Sequence, residues 1–133
     1  NRKQMNVFPD GKYGKYAVTH YKVLKRFKYV NLVSCYLETG RTHQIRVHFK
    51  YIGHPVFNDQ IYGGNKIILK NNLLKKDKEF LKYCLNILPR QALHAFSLGF
   101  IHPFNKKKYY FKCPLPNDIN FLIKKLNNKF INK

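Results

Sequence analysis

The sequence predicts an α+β domain, and three observations carry that prediction. Two β-branched and aromatic runs lie near the start of the chain, amphipathic helical stripes occupy its middle and its end, and a second pair of strand-like runs separates them. At 133 residues the chain is long enough for one domain with one modest core. No repeat or low-complexity tract divides it, so residues 1–133 read as a single unit.

Taken in order, Asn1 to Lys15 is polar and turn-rich, with Pro9-Asp10-Gly11 a tight turn. Tyr16 to Phe27 is β-branched and aromatic with partial alternation, a strand. Tyr29 to Glu38 is a second strand, with Val30, Leu32, Ser34 and Tyr36 on one face and Val33, Cys35 and Leu37 on the other. Both faces are apolar, which predicts a central strand covered on two sides. Thr39-Gly40 breaks it. From Thr42 to Ile52 the spacing turns helical, with Ile45, Phe49 and Ile52 in one stripe and Thr42 as the N-cap. Gly53-His54-Pro55 ends that helix. Gly63-Gly64-Asn65 is a loop, and Lys66 to Asp77 is basic without a clear period. Lys78 to Leu88 places Phe80, Leu81, Cys84, Leu85 and Leu88 on a compact amphipathic helix. Ala92 to Ile101 and Lys107 to Cys113 form a hairpin that turns at Pro103-Phe104-Asn105-Lys106. A last helix starts at about Asp118, capped by Asn117, with Phe121, Leu122 and Leu126 inward.

Composition narrows the function classes. There are 26 Lys+Arg against 6 Asp+Glu, a formal charge of +20, yet hydrophobic residues make up 44% of the chain, too many for a disordered basic tail. No window approaches the roughly 20 apolar residues of a membrane span, and Asn1-Arg2-Lys3-Gln4-Met5 does not open a signal peptide. Cys35, Cys84 and Cys113 form neither an even disulfide set nor a metal pair, which favours a reducing, cytoplasmic setting. The first partner to expect is nucleic acid. Part of the lysine excess has a plainer origin: with abundant Asn and Ile, it is what AT-rich codons write onto solvated faces.

The arginines carry more information. There are only five, Arg2, Arg26, Arg41, Arg46 and Arg90, in a chain that otherwise writes Lys, so each marks a place where a planar, bidentate cation is wanted. Arg41 sits where a strand gives way to a helix, beside unpaired backbone N–H groups that attract a phosphate or a carboxylate. Arg46 lies about one turn further on. A structural alternative stands beside this reading, in which Arg41 pairs with a nearby acid such as Glu38. His43 and His48, five apart, diverge by about 140° on a helix and do not form a metal pair; His20, His54, His94 and His102 have no ligand spacing either. No metal site is expected. His94 and His102 are expected to bond structural carbonyls. Among the aromatics, Tyr36, Tyr62 and Tyr109 are the exposed candidates for stacking on RNA bases.

The string Leu37-Glu38-Thr39-Gly40-Arg41-Thr42-His43-Gln44-Ile45-Arg46-Val47-His48 resembles the signature of the RluA-type pseudouridine synthases. Gly53-His54-Pro55-Val56-Phe57-Asn58-Asp59-Gln60-Ile61-Tyr62-Gly63 continues that pattern. Arg90-Gln91-Ala92-Leu93-His94-Ala95, His102-Pro103 and Ala17-Val18-Thr19-His20-Tyr21 match in order and spacing. The resemblance covers nearly the whole chain and is closest to the branch acting on 23S rRNA.

The resemblance implies a mixed, mostly antiparallel sheet with flanking helices, and isomerisation of uridine to pseudouridine in RNA without cofactor or metal. It places Arg41 as the partner of the catalytic aspartate, an arrangement that keeps a buried carboxylate ionised and oriented. Thr42, His43, Gln44, Arg46 and Arg90 are then the expected RNA-binding residues. The family's aspartate stands in a His-Arg-Leu-Asp-type motif, and none of Asp10, Glu38, Asp59, Asp77, Glu79 and Asp118 has that context. Nor does Lys15-Tyr16-Ala17 have the spacing of the family's Lys-x-Tyr-x-Ala motif, and Asp59 reads as a loop-fixing residue. The chain is therefore expected to be the C-terminal part of a catalytic domain, binding RNA but inactive alone, with an exposed sheet edge open to association. Large-subunit ribosomal RNA is the expected partner, with tRNA as another candidate and no membrane. The rival reading is a non-catalytic, ribosome-associated RNA-binding module.

Overall fold

Strand propensity is concentrated where the chain pairs with itself. In a computed structural model, which describes residues 7, 9, 11, 14–70, 72–101 and 104–131, β1 (Thr19–Arg26) and β2 (Asn31–Leu37) form an antiparallel hairpin. Its register runs from Thr19 opposite Leu37 to Arg26 opposite Asn31, and Leu24 is bulged out between Val23 and Lys25. Then come α1 (Gln44–Tyr51), a 3₁₀ turn at Ile67–Lys70, α2 (Lys75–Ile87), a second antiparallel hairpin of β3 (Ser97–Ile101) and β4 (Lys108–Lys112), and α3 (Asn117–Phe130). The class is α+β, as the sequence predicts.

Several local expectations are corrected. The β2 strand is not central: among the described residues it pairs with β1 alone, and the two hairpins are separate two-stranded sheets. Val30 and Leu32 pack against the helical core, whereas Tyr36 and Leu37 at the end of the strand are exposed; on the neighbouring strand, Tyr21 of β1 lies edge-on to Phe49 of α1. Thr42 does not cap α1; His43 does, in the left-handed conformation, with no side-chain bond. The cap of α3 is Pro116, which places Asn117 inside the helix. The basic stretch after Lys66 supplies the 3₁₀ turn and the first turn of α2. The predicted turns at Pro9-Asp10-Gly11 and Pro103-Phe104 fall partly, and His102 and Arg2 wholly, outside the described residues.

The core forms where the tip of the first hairpin meets α2 and α3. Leu81 and Cys84 of α2 with its C-cap Leu88, and Ile119, Leu122 and Leu126 of α3, repeat the spacing i, i+3, i+7, one apolar stripe each. Phe27, buried at the hairpin tip, joins Cys84, Leu88, Ile119, Leu122 and Leu126 in one cluster, with Phe57, Ala92 and Phe130 packed against it. Burial pushes the Cys84 thiol up to about 11, so it behaves as a small hydrophobe. Two polar ties fix the helices. Asp77, buried in the first turn of α2, accepts from Tyr29 Oη at 2.9 Å and Lys28 Nζ at 3.2 Å. The Tyr29 bond and then the Lys28 bond hold its carboxyl below the usual range against its desolvation. Arg90 grips Asp118 of α3 through Nε and Nη2 at 3.1 and 3.0 Å.

Truncating Leu88 to alanine is expected to cost about 2–5 kcal/mol, because the cavity lies between two helices and a hairpin that cannot all collapse into it. Leu24→Ala, at a bulged position 55% exposed, should stay within about 0.5 kcal/mol of the parent. Urea unfolding of the two variants checks the contrast.

Candidate functional site at the strand–helix junction

Thr39-Gly40 ends the first hairpin, and the chain must reverse before α1 begins. Gln44 makes that reversal rigid. Its buried side-chain carbonyl accepts from Thr39 Oγ1 at 2.6 Å and from the Arg41 backbone N–H at 3.0 Å. Its amide nitrogen donates to the Val18 carbonyl and to Thr19 Oγ1, each at 2.9 Å. Thr39 Oγ1 in turn accepts from the Val18 N–H at 3.0 Å, and Thr19 Oγ1 lies 2.8 Å from His48 Nδ1 of α1. One amide thus joins the entry of β1, the loop and the helix, with both of its ends satisfied.

A second set of contacts holds the other side of the loop. His43 sits at φ 53°, ψ 24°, a left-handed cap in which a non-glycine residue is strained. Its Nδ1 lies 2.9 Å from the hydroxyl of Tyr62, a ring only 2% exposed. Arg46 stacks over that ring, Cζ 5.2 Å from its centroid, and makes a bidentate pair with Asp59, Nε to Oδ2 at 2.7 Å and Nη2 to Oδ1 at 2.8 Å. Asp59 Oδ1 also accepts from the Ile61 and Tyr62 N–H groups at 3.1 and 3.2 Å. Desolvation would raise the Asp59 carboxyl, but the bonds from Arg46, Tyr62 and Ile61 outweigh it and hold the group below the usual carboxylate range. The same pairing raises Arg46.

The predicted site residues therefore divide. Arg41 and Thr42 are exposed at the junction, and the Arg41 Nε donates to the Tyr16 carbonyl at 3.0 Å. Among the described residues no carboxylate forms an ion pair with Arg41: Glu38 pairs with His20, Asp59 with Arg46, Asp77 with Lys28 and Asp118 with Arg90. The alternative pairing of Arg41 with Glu38 is thus not the one formed. His43 is half-buried, and Gln44 and Arg46 are buried beneath the loop, so Arg46 does not share the outward direction of Arg41. The buried side of α1 is accordingly Gln44, Arg46 and Val47, whereas Ile52 of the predicted apolar stripe is exposed. Arg90 lies elsewhere, between the loop after α2 and the start of α3, where it also donates to the Gln91 and Leu93 carbonyls.

Tyr62 is buried rather than an exposed stacking ring, Tyr36 is exposed, and the Tyr109 side chain lies outside what is described. His94 Nε2 lies 2.8 Å from the Cys113 carbonyl. Sequence reading missed Thr39 and Tyr62 as loop anchors. An Asp whose carboxylate accepts from the N–H groups two and three residues on is a turn pattern, and that signal does exist in Asp59-Gln60-Ile61-Tyr62. Among the described residues no three His, Cys, Asp or Glu side chains gather to hold a metal ion, and no helix is long and apolar enough to cross a membrane.

Asp59→Asn leaves the buried Arg46 without its counter-charge and is expected to cost about 3–5 kcal/mol near neutral pH. Because the Asp59 carboxyl is depressed in the folded state, its contribution is complete above the ordinary Asp range and fades as pH falls through the folded value. The variant should therefore show a shallower loss of stability below about pH 4, read from thermal midpoints across pH.

The comparisons with known proteins concern the sequence that builds this junction. Residues 3–51, which include the junction, match the family model described as RNA pseudouridylate synthase. Ribosomal large subunit pseudouridine synthase D of Zymomonas mobilis is 43% identical over 126 residues, 95% of this chain and 36% of that protein. The uncharacterized RNA pseudouridine synthase YlyB of Bacillus subtilis is 46% identical over 126 residues, 95% of this chain and 35% of that protein. An uncharacterized RNA pseudouridine synthase of Chlorobaculum parvum is 39% identical over 127 residues. The chain spans about a third of the length of the curated relatives it matches. Over 95% of its residues the chain is similar to proteins named as RNA pseudouridine synthases, and the part that matches the family model takes in the strand–helix junction.

Proposed function

We propose that the chain is the C-terminal part of a catalytic domain that isomerises uridine to pseudouridine in large-subunit ribosomal RNA, in the cytoplasm. One observation carries the assignment of roles: Arg41 is presented at the junction without an acid of its own among the described residues, while Arg46 and Arg90 are each held by one. Arg41 is the residue placed to meet the carboxylate of a catalytic aspartate, and no acid of this sequence stands in that aspartate's motif. In the reaction the N-glycosidic bond of the target uridine breaks, the base turns, and a bond forms from the sugar to C5, whose hydrogen leaves as a proton while the freed N1 takes one up. Atoms balance without a cofactor. The Arg41 guanidinium keeps the aspartate ionised and oriented while the flipped base occupies the pocket.

The remaining candidates serve that geometry. Thr42 lies on the exposed side of the loop, where RNA passes, with the half-buried His43 beside it. Gln44 and Arg46 hold the loop from beneath, and Arg90 supports the start of α3. The relatives' names support the ribosomal substrate, and the charge of +20 supports phosphate-driven binding.

Two measurements test this reading. The 133-residue chain alone should release no tritium from C5-labelled uridine in a ribosomal RNA fragment, yet should bind that RNA with an affinity that falls steeply as salt rises. In the longer protein, Arg41→Ala should lower turnover by at least about a thousandfold while RNA affinity stays within about threefold. Equal loss of binding and turnover would assign Arg41 to a phosphate instead.

A further inference from the structure

The second hairpin carries an arrangement that the catalytic reading does not use. Strand alternation puts Lys108, Tyr110 and Lys112 of β4 on one face, and all three are exposed. The Tyr110 ring is 64% exposed. Its partner across the hairpin is Gly99, which brings no side chain to cover it. A tyrosine in a two-stranded ribbon ordinarily packs on a cross-strand neighbour; here the position opposite offers no side chain and the ring stays largely exposed. The two lysines stand roughly 7 Å to either side along the strand, and Lys112 Nζ lies 5.7 Å from the ring centroid.

The surrounding charge is all of one sign. Lys106 and Lys107 are exposed at the turn, next to Phe104, which is 89% exposed. From Phe80 to Asn117 the sequence contains no acid. Nothing on this hairpin neutralises its lysines, so the face combines an open aromatic surface with an uncompensated cationic border.

We propose that the Lys108–Tyr110–Lys112 face is a stacking platform for an unpaired base of single-stranded RNA, with the lysines holding the adjoining phosphates. The proposal rests on the RNA-modifying reading above and adds to it a preference: a duplex keeps its bases paired and offers none to the ring.

The test uses the 133-residue chain with a short single-stranded RNA carrying 2-aminopurine and with a duplex of the same length. Tyr110→Ala should weaken single-strand binding roughly five- to a hundredfold and abolish the stacking quench of the probe. Tyr110→Phe should retain both. Lys108→Ala with Lys112→Ala should lower the salt dependence by roughly one to two ions released. Binding to duplex should be unchanged by Tyr110→Ala. Salt-dependent RNA binding that ignores Tyr110→Ala, or an equal loss for duplex and single strand, overturns the platform and leaves the enzyme reading standing. Failure of the parent chain to bind any RNA overturns both.

Discussion

The Arg46–Asp59 pair is the constraint on which the site depends. Asp59 is fully buried, and an ionised carboxylate in that position is tolerated only because two guanidinium nitrogens and two backbone N–H groups converge on it. Satisfying the acid fixes the loop that carries it, and that loop sets Tyr62 under His43. The backbone there is as tight as the side chains. A Cβ on Gly64 would fall 1.7 Å from the Val56 carbonyl oxygen, so the loop closes on itself only with glycine at that position. From the acid outward, each contact removes freedom from the exposed residue at the end of the series, Arg41.

The junction is tied to the core by a buried side chain and a backbone bond. Asn58, in a left-handed conformation, donates to the Leu85 and Leu88 carbonyls at the end of α2 at 3.0 and 2.5 Å. The Ala92 N–H donates to the Phe57 carbonyl at 2.9 Å. The last carbonyls of a helix lack partners within it, so Asn58 meets a need of α2 while anchoring the loop. The end of α2 and the loop beneath the site are therefore coupled to each other.

The sequence disclosed the elements and the signature but not the division of labour within it. Hydrophobic period located both hairpins and all three helices, since those signals are local. It misjudged α1 because Gln44 and Arg46 are polar yet face inward, satisfied largely by partners at residues 18, 19 and 59 that lie 13 to 26 positions away. Tyr62 was misplaced for the same reason, its hydroxyl finding His43 across the loop. The Asp59 turn was legible, because an aspartate fixing its own following N–H groups is a short-range pattern. Arg41 was legible as a scarce residue at a strand–helix junction inside the signature string.

The first hairpin, α1 and the loop after it are joined by contacts of short reach along the chain, the longest being that between Thr19 and His48. Phe27, by contrast, completes its packing only when Leu122 and Leu126 of α3 arrive. Loop closure costs more entropy the longer the loop, and during synthesis the earlier segment is available first. The reversal that presents Arg41 can thus take shape on a nascent chain while α3 is still being made, and the late docking of that helix locks in place a site whose geometry is already drawn.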